Sequence, residues 1–105
     1  MQPDEAHERR EEVQFLDVRE PYEWTAGHIE GALHIPMSQL AARQSELTAD
    51  RPIVAVCRSG NRSGQVTAAL AQAGYDAHNL EGGMQAWAAA NLPYASEDDH
   101  PPRVA

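Results

Sequence analysis

Two short apolar runs, VQFLDV (13–18) and IVAV (53–56), constrain the fold more than any other feature of the chain. Both are β-branched and nearly continuous in apolar character, the pattern of strands covered on both faces. Two weaker segments of similar length, ALHI (32–35) and AHNL (77–80), add strand candidates. Helix-like segments alternate with them. In SGQVTAALAQAG (63–74), Val66, Ala69, Leu70 and Ala73 recur at i, i+3, i+4 and i+7, and Gly74 suits the left-handed position past the end. PYEWTAG (21–27) places Pro21 at a first helical position and Gly27 at the stop. SQLAARQSEL (38–47) opens on Ser38 as an N-cap, and MQAWAAAN (84–91) sets Met84, Trp87 and Ala88 on one stripe ahead of Pro93. This alternation predicts an α/β fold, a parallel sheet flanked by helices on both faces with right-handed crossovers.

A chain of 105 residues is sized for one domain. Residues 1–12, MQPDEAHERREE, read as a charged N-terminal segment with a short helical turn. Residues 13–94 form the domain, and 95–105, acidic and proline-containing, are expected to be a disordered tail. No apolar run reaches the length of a membrane span, and the N-terminus lacks the apolar stretch of a signal peptide. The single cysteine excludes an internal disulfide and a cysteine-based metal cluster. His7, His34, His78 and His100 show no metal-ligand spacing, so no metal is expected. A free thiol fits a reducing compartment, and a cytoplasmic protein is expected. Sixteen acidic residues against eight basic ones give a net charge of −8, which argues against a nucleic-acid partner. Every basic residue is an arginine, and two of the eight, Arg58 and Arg62, lie within five residues of Cys57.

Cys57 follows IVAV directly, at the carboxyl end of a strand, where ligands of open parallel sheets bind. The segment CRSGNRS (57–63) then leads into the strongest helix. Free N–H groups of that helix's first turn favour an anion, and Gly60 and Gly64 let successive amides turn inward as a nest. The anion at its centre would be the Cys57 sulfur. Asn61 or Ser63 can cap the helix, and Ser59 and Ser63 can add hydroxyl donors. Lowering a thiol pKa from about 8.5 to about 7 raises the thiolate at pH 7.4 from roughly 7% to roughly 70%. Arg58 and Arg62 can bind an oxyanion such as a sulfonate. Taken singly, Cys57 reads as a small core hydrophobe and each arginine as a solvated loop residue. Together, with two glycines and a following helix, they read as a site.

CRSGNRS resembles the active-site loop of the rhodanese-homology sulfurtransferases in their small single-domain form. FLDVREPYEWTAGHIEGALHIP (15–36) is similar to that family's N-terminal signature, and LEGGMQAWAAANLP (80–93) to its C-terminal one. The three occur in the family's order. The resemblance implies a rhodanese-like parallel-sheet domain and a ping-pong transfer of sulfane sulfur from thiosulfate or a similar donor. Cys57 would become a persulfide and hand the sulfur to a thiophile: cyanide in an assay, a thiol or protein in the cell. It implies no cofactor, since the persulfide is the carrier, and donor binding at Arg58. A monomer without membrane partner is expected. Family members carry a short strand ahead of the first helix; here it should be missing or reduced to a residue or two.

Asp17, Arg19 and His28 belong to the same signature. Arg19 is expected to pair with a carboxylate, and His28 to be a structural hydrogen-bonder. Asp17 is expected to bond loop backbone, and it is a candidate brace for the active-site loop. Trp24 and Trp87 are read as core or rim packing. Cysteine phosphatase chemistry is the nearest rival, but its loops place five residues between cysteine and arginine, and four separate Cys57 from Arg62. Two further readings keep the fold and change the role: a persulfide carrier and a non-catalytic rhodanese-like binding module. The binding module is disfavoured because both Cys57 and Arg58 are present.

Overall fold

In the computed structural model, which describes all 105 residues, the strands β1 (Gln14–Asp17), β2 (Leu33–His34), β3 (Ile53–Val56) and β4 (Ala77–Asn79) form one sheet. Their order is β2-β1-β3-β4 and every neighbouring pair is parallel. The helices are α1 (Pro3–Glu8), α2 (Pro21–Ala26), α3 (Leu40–Arg43), α4 (Asn61–Gln72) and α5 (Gly83–Ala89). The two-residue period of a strand explains the layers. Phe15, Val54 and Val56 face one side, where α1 and α5 close over them with Ala6, Met84 and Trp87. Leu16, Ile53, Ala55 and Cys57 face the other, against Val66 and Leu70 of α4. The sheet is thus covered on both faces, as its apolar runs predict. Phe15 and His7 both meet the Trp87 ring edge-on, at 5.7 and 5.8 Å between centroids. No helix is long and apolar enough to cross a membrane.

Three segments differ from expectation. The N-terminal dozen are part of the domain rather than an appendage: Pro3 and Ala6 are buried, Ala6 within the same cluster as Trp87. Their charges point outward while one small apolar face packs, which composition alone does not reveal. Beside the edge strand β4, the Met1 amino group donates to the Asn79 carbonyl at 2.8 Å, and the Glu81 N–H donates to the Met1 carbonyl at 2.9 Å. Met1 thus lies alongside the end of β4, with no strand ahead of α1.

The helix expected over 38–47 is broken into a 3-10 turn (Met37–Gln39), the one-turn α3 and a second 3-10 turn (Gln44–Glu46). Ser38 lies inside the first turn and is exposed, and no side chain caps α3. Of the segment's apolar residues, Leu47 is buried and Leu40 half-buried, too little to hold a continuous helix against the sheet.

Residues 95–105 are laid back along α2 instead of running free. Ala95 and His28 exchange both backbone hydrogen bonds, the Glu97 N–H donates to the Thr25 carbonyl and the Arg103 N–H to the Ala26 carbonyl. Val104 and Tyr94 pack against the Trp87 cluster. Arg103 and Asp98 pair within the segment at 2.8 Å, so part of its charge is satisfied internally.

Candidate active site

Cys57 stands one residue beyond β3, and its side chain is 1% exposed. One side of it touches the apolar cluster of Leu16, Ala55 and Val66. On the other, the Gly60 N–H donates to Sγ at 3.0 Å and the Ser63 hydroxyl lies 3.2 Å from it. Gly60 reaches this position with φ of +104°, a conformation costly for any residue with a Cβ. Gly60 is also the N-cap of α4, and neither Asn61 nor Ser63 caps the helix through its side chain. Burial pushes the thiol up; the Ser63 hydroxyl and the amides of Ser63, Gly60 and Ser59 outweigh it, so Cys57 titrates below its ordinary value.

The loop is held from outside by α5. The Met84 N–H donates to the Cys57 carbonyl at 2.9 Å and the Gln85 N–H to the Arg58 carbonyl at 3.0 Å. With these carbonyls turned outward, the neighbouring amides are free to face the sulfur. Gly83, at φ +60°, permits the approach: a Cβ there would sit 2.5 Å from the Cys57 carbonyl oxygen and 2.6 Å from the Arg58 carbonyl. From the end of β4, Asn79 donates through Nδ2 to the Gly60 carbonyl at 3.0 Å and accepts from the Ser63 hydroxyl at 2.6 Å.

The two loop arginines part company. Arg58 is exposed, and its Nε donates to the Ala105 carbonyl at 3.1 Å. Arg62 is held by Glu23 of α2 through two parallel bonds of 2.8 Å. This bidentate pair raises the Arg62 guanidinium above its ordinary value and holds the Glu23 carboxyl below the usual carboxylate range against the opposing effect of burial. Arg62 is thus already paired to a carboxylate, unlike the free anion binder expected beside Arg58. Ser59 and Asn61 occupy the exposed rim of the loop.

Asp17 and Arg19 form a buried pair of their own, with Arg19 Nε and Nη2 donating to the carboxylate at 2.9 and 2.8 Å. Arg19 Nη2 also donates to the Gly27 carbonyl at 2.7 Å. Arg19 thus pairs with a carboxylate as expected. Asp17 does not brace the active-site loop through its side chain: its hydrogen bonds go to Arg19, the nearest cation, and tie β1 to the end of α2. His28 Nδ1 bonds the Trp24 carbonyl at 2.8 Å, a structural contact. Trp24 is half-buried and stacks on the rings of His28 and His34, while Trp87 is core.

Sequence reasoning missed Glu23 and Asn79. Each is a polar residue at a position its element turns inward, and only the packing of α2 and β4 against the loop reveals a partner. A cavity of about 590 Å³ opens elsewhere, among Gln14, Phe15, Arg10 and Arg51, and includes no residue of the loop. Its arginines are offset by Glu11 and Glu30.

The chain is similar to known proteins in sequence and in fold. A family model of the rhodanese-like domain matches residues 2–90. The chain is 44% identical over 89 residues to a sulfurtransferase from Allochromatium vinosum, covering 84% of this chain and 83% of that one. It is 36% identical over 87 residues to the thiosulfate sulfurtransferase GlpE of Pseudomonas aeruginosa, covering 81% and 79%. YqhL of Bacillus subtilis is 42% identical over 76 residues, 71% of this chain, and the chain spans 60% of that longer protein. Among solved structures, a rhodanese-related protein from Thermoplasma volcanium superposes with a TM-score of 0.87 at 32% identity, covering 90% of this chain and 95% of that one. By the family model over residues 2–90 and by these relatives, the chain belongs to the rhodanese-like domain family.

Proposed function

We propose that the protein is a sulfurtransferase that carries sulfane sulfur on Cys57, with thiosulfate as donor. The observation that carries this reading is the sulfur itself, at the carboxyl edge of a parallel sheet with the Gly60 N–H at 3.0 Å and the Ser63 hydroxyl at 3.2 Å. These donors favour the thiolate over the thiol and continue to hold the inner sulfur once a second is attached. The Cys57 thiolate attacks the outer sulfur of thiosulfate. The donor's sulfur–sulfur bond breaks, its electron pair leaves with sulfite, and a Cys57 persulfide anion remains. Cyanide or a thiolate then attacks the outer sulfur, and the electron pair of the persulfide bond returns to Cys57. Charge is conserved in both steps, and neither needs an oxidant. Arg58, the exposed cation of the loop, is the residue assigned here to receive the sulfonate end of the donor. Relatives named as sulfurtransferases, one of them for thiosulfate, support the same assignment.

Intact-mass measurement tests it. Treatment with thiosulfate is expected to add one sulfur atom, cyanide to remove it as thiocyanate, and Cys57→Ser to show neither. A parent protein that gains no sulfur would overturn the assignment.

A further inference from the structure

Glu23 is 2% exposed, yet it lies on α2, remote in sequence from the loop it touches. Both of its oxygens go to Arg62, and Oε1 also accepts the Glu20 N–H at 3.0 Å. The helix start thus fixes the carboxylate from behind while the guanidinium meets it in front. Arg62 lies in sequence between Gly60 and Ser63, the two residues whose donors meet the Cys57 sulfur. The titratable and charged groups that act on this pair are Arg19, Tyr22 and the Cys57 sulfur, and the other cation of the loop, Arg58, is exposed. β4 contributes the uncharged Asn79, and α5 contributes Met84 and Gln85.

We propose that Glu23 is a positioning residue for sulfur transfer that cancels the charge of Arg62, so that neutral N–H and O–H donors stabilise the sulfur and Arg58 alone offers the donor a free cation. This rests on the sulfur-transfer reading. Two physical consequences favour such an arrangement. A thiolate over-stabilised by a bare cation is a poorer nucleophile, because nucleophilicity falls with pKa. A second free guanidinium would also bind the departing sulfite and slow its release.

The test is the rate of Cys57 alkylation by iodoacetamide as a function of pH, with folding checked by circular dichroism. Glu23→Gln keeps the shape and one acceptor but removes the charge. Its alkylation midpoint is expected to move to lower pH by about half a unit or more, the influence of one uncancelled charge in partly screened surroundings. The thiosulfate KM should fall several-fold with kcat falling too, and Glu23→Asp should restore the midpoint. Arg62→Gln should move the midpoint upward. The double variant Glu23→Gln/Arg62→Gln, which removes a neutral pair, should titrate near the parent. A purely structural Glu23 predicts the reverse for Glu23→Gln, since a loosened loop loses donors and the midpoint and KM both rise. A midpoint that is unmoved or raised in Glu23→Gln, or a double variant displaced as far as either single one, overturns the proposal. Alkylation needs no sulfur donor, so it decides the role of Glu23 even where thiosulfate leaves no persulfide on the parent.

Discussion

Ser63 has one hydroxyl proton and two acceptors in reach, the Cys57 sulfur at 3.2 Å and Asn79 Oδ1 at 2.6 Å. Asn79 is oriented by its own bond to the Gly60 carbonyl, so its oxygen waits on the Ser63 side. When Cys57 ionises, the proton turns to the sulfur, where a charged acceptor gains more from it. Ser63→Ala is therefore expected to raise the alkylation midpoint of Cys57 by about one pH unit, the worth of one hydrogen bond to a charged group. The thiol is below its ordinary value in the parent, so the loss of reactivity should be full below both midpoints and vanish once both proteins are ionised in alkali. A midpoint that stays in place would show that backbone amides alone suffice. At this scale the sequence was half legible. Cys57, Gly60 and Ser63 could be placed because the string CRSGNRS holds them within seven consecutive residues. Glu23 and Asn79 could not, because their roles come from distant elements arriving at the same loop.

Element boundaries were legible wherever burial was continuous. β1 and β3 showed as apolar runs because both of their faces are covered, and α4 showed its stripe because Val66 and Leu70 meet the sheet. The segment over 37–46 offered the same residue types without the burial to hold them, and it broke into short turns. α5 was visible as a helix through Met84 and Trp87, but its service to the loop was not. That service depends on Gly83, where two carbonyls leave no space for a side chain. Gly83→Ala is expected to cost roughly 2–4 kcal/mol of stability, from a left-handed backbone and a forced displacement of the Cys57–Arg58 peptide. Urea unfolding measures the cost. Persulfide formation should fall more steeply than stability does, since the inward amides turn with that peptide. A variant that keeps parental sulfur uptake would sever the link drawn here between α5 and the loop.

Across the whole molecule, both ends of the chain are part of the packing. Charge and proline content suggested a free tail, and composition cannot show that residues 95–105 find backbone partners on α2 or that Val104 finds the Trp87 cluster. Gly27 gives the clearest sign of close contact, as a Cβ there would strike the Arg103 carbonyl and the Tyr94 ring. Removing residues 96–105 gives up the two hydrogen bonds to Thr25 and Ala26 and the cover over Gly27, and releases Arg58 from Ala105. A fall in Tm of roughly 5 °C is expected, from about 1 kcal/mol net for a domain of this size. An unchanged Tm in calorimetry would mean that the segment contributes nothing to stability.

The near-total enclosure of Cys57 carries a consequence for what can react there. With 1% of the residue open to water, the resting thiol is expected to react far more slowly with bulky aromatic disulfides than with small reagents. Once loaded, the outermost atom stands a further sulfur–sulfur bond of about 2.05 Å from the buried Cys57 sulfur, so an acceptor need not reach the cysteine itself. The cargo would then be collected at the threshold although the hand that holds it stays indoors.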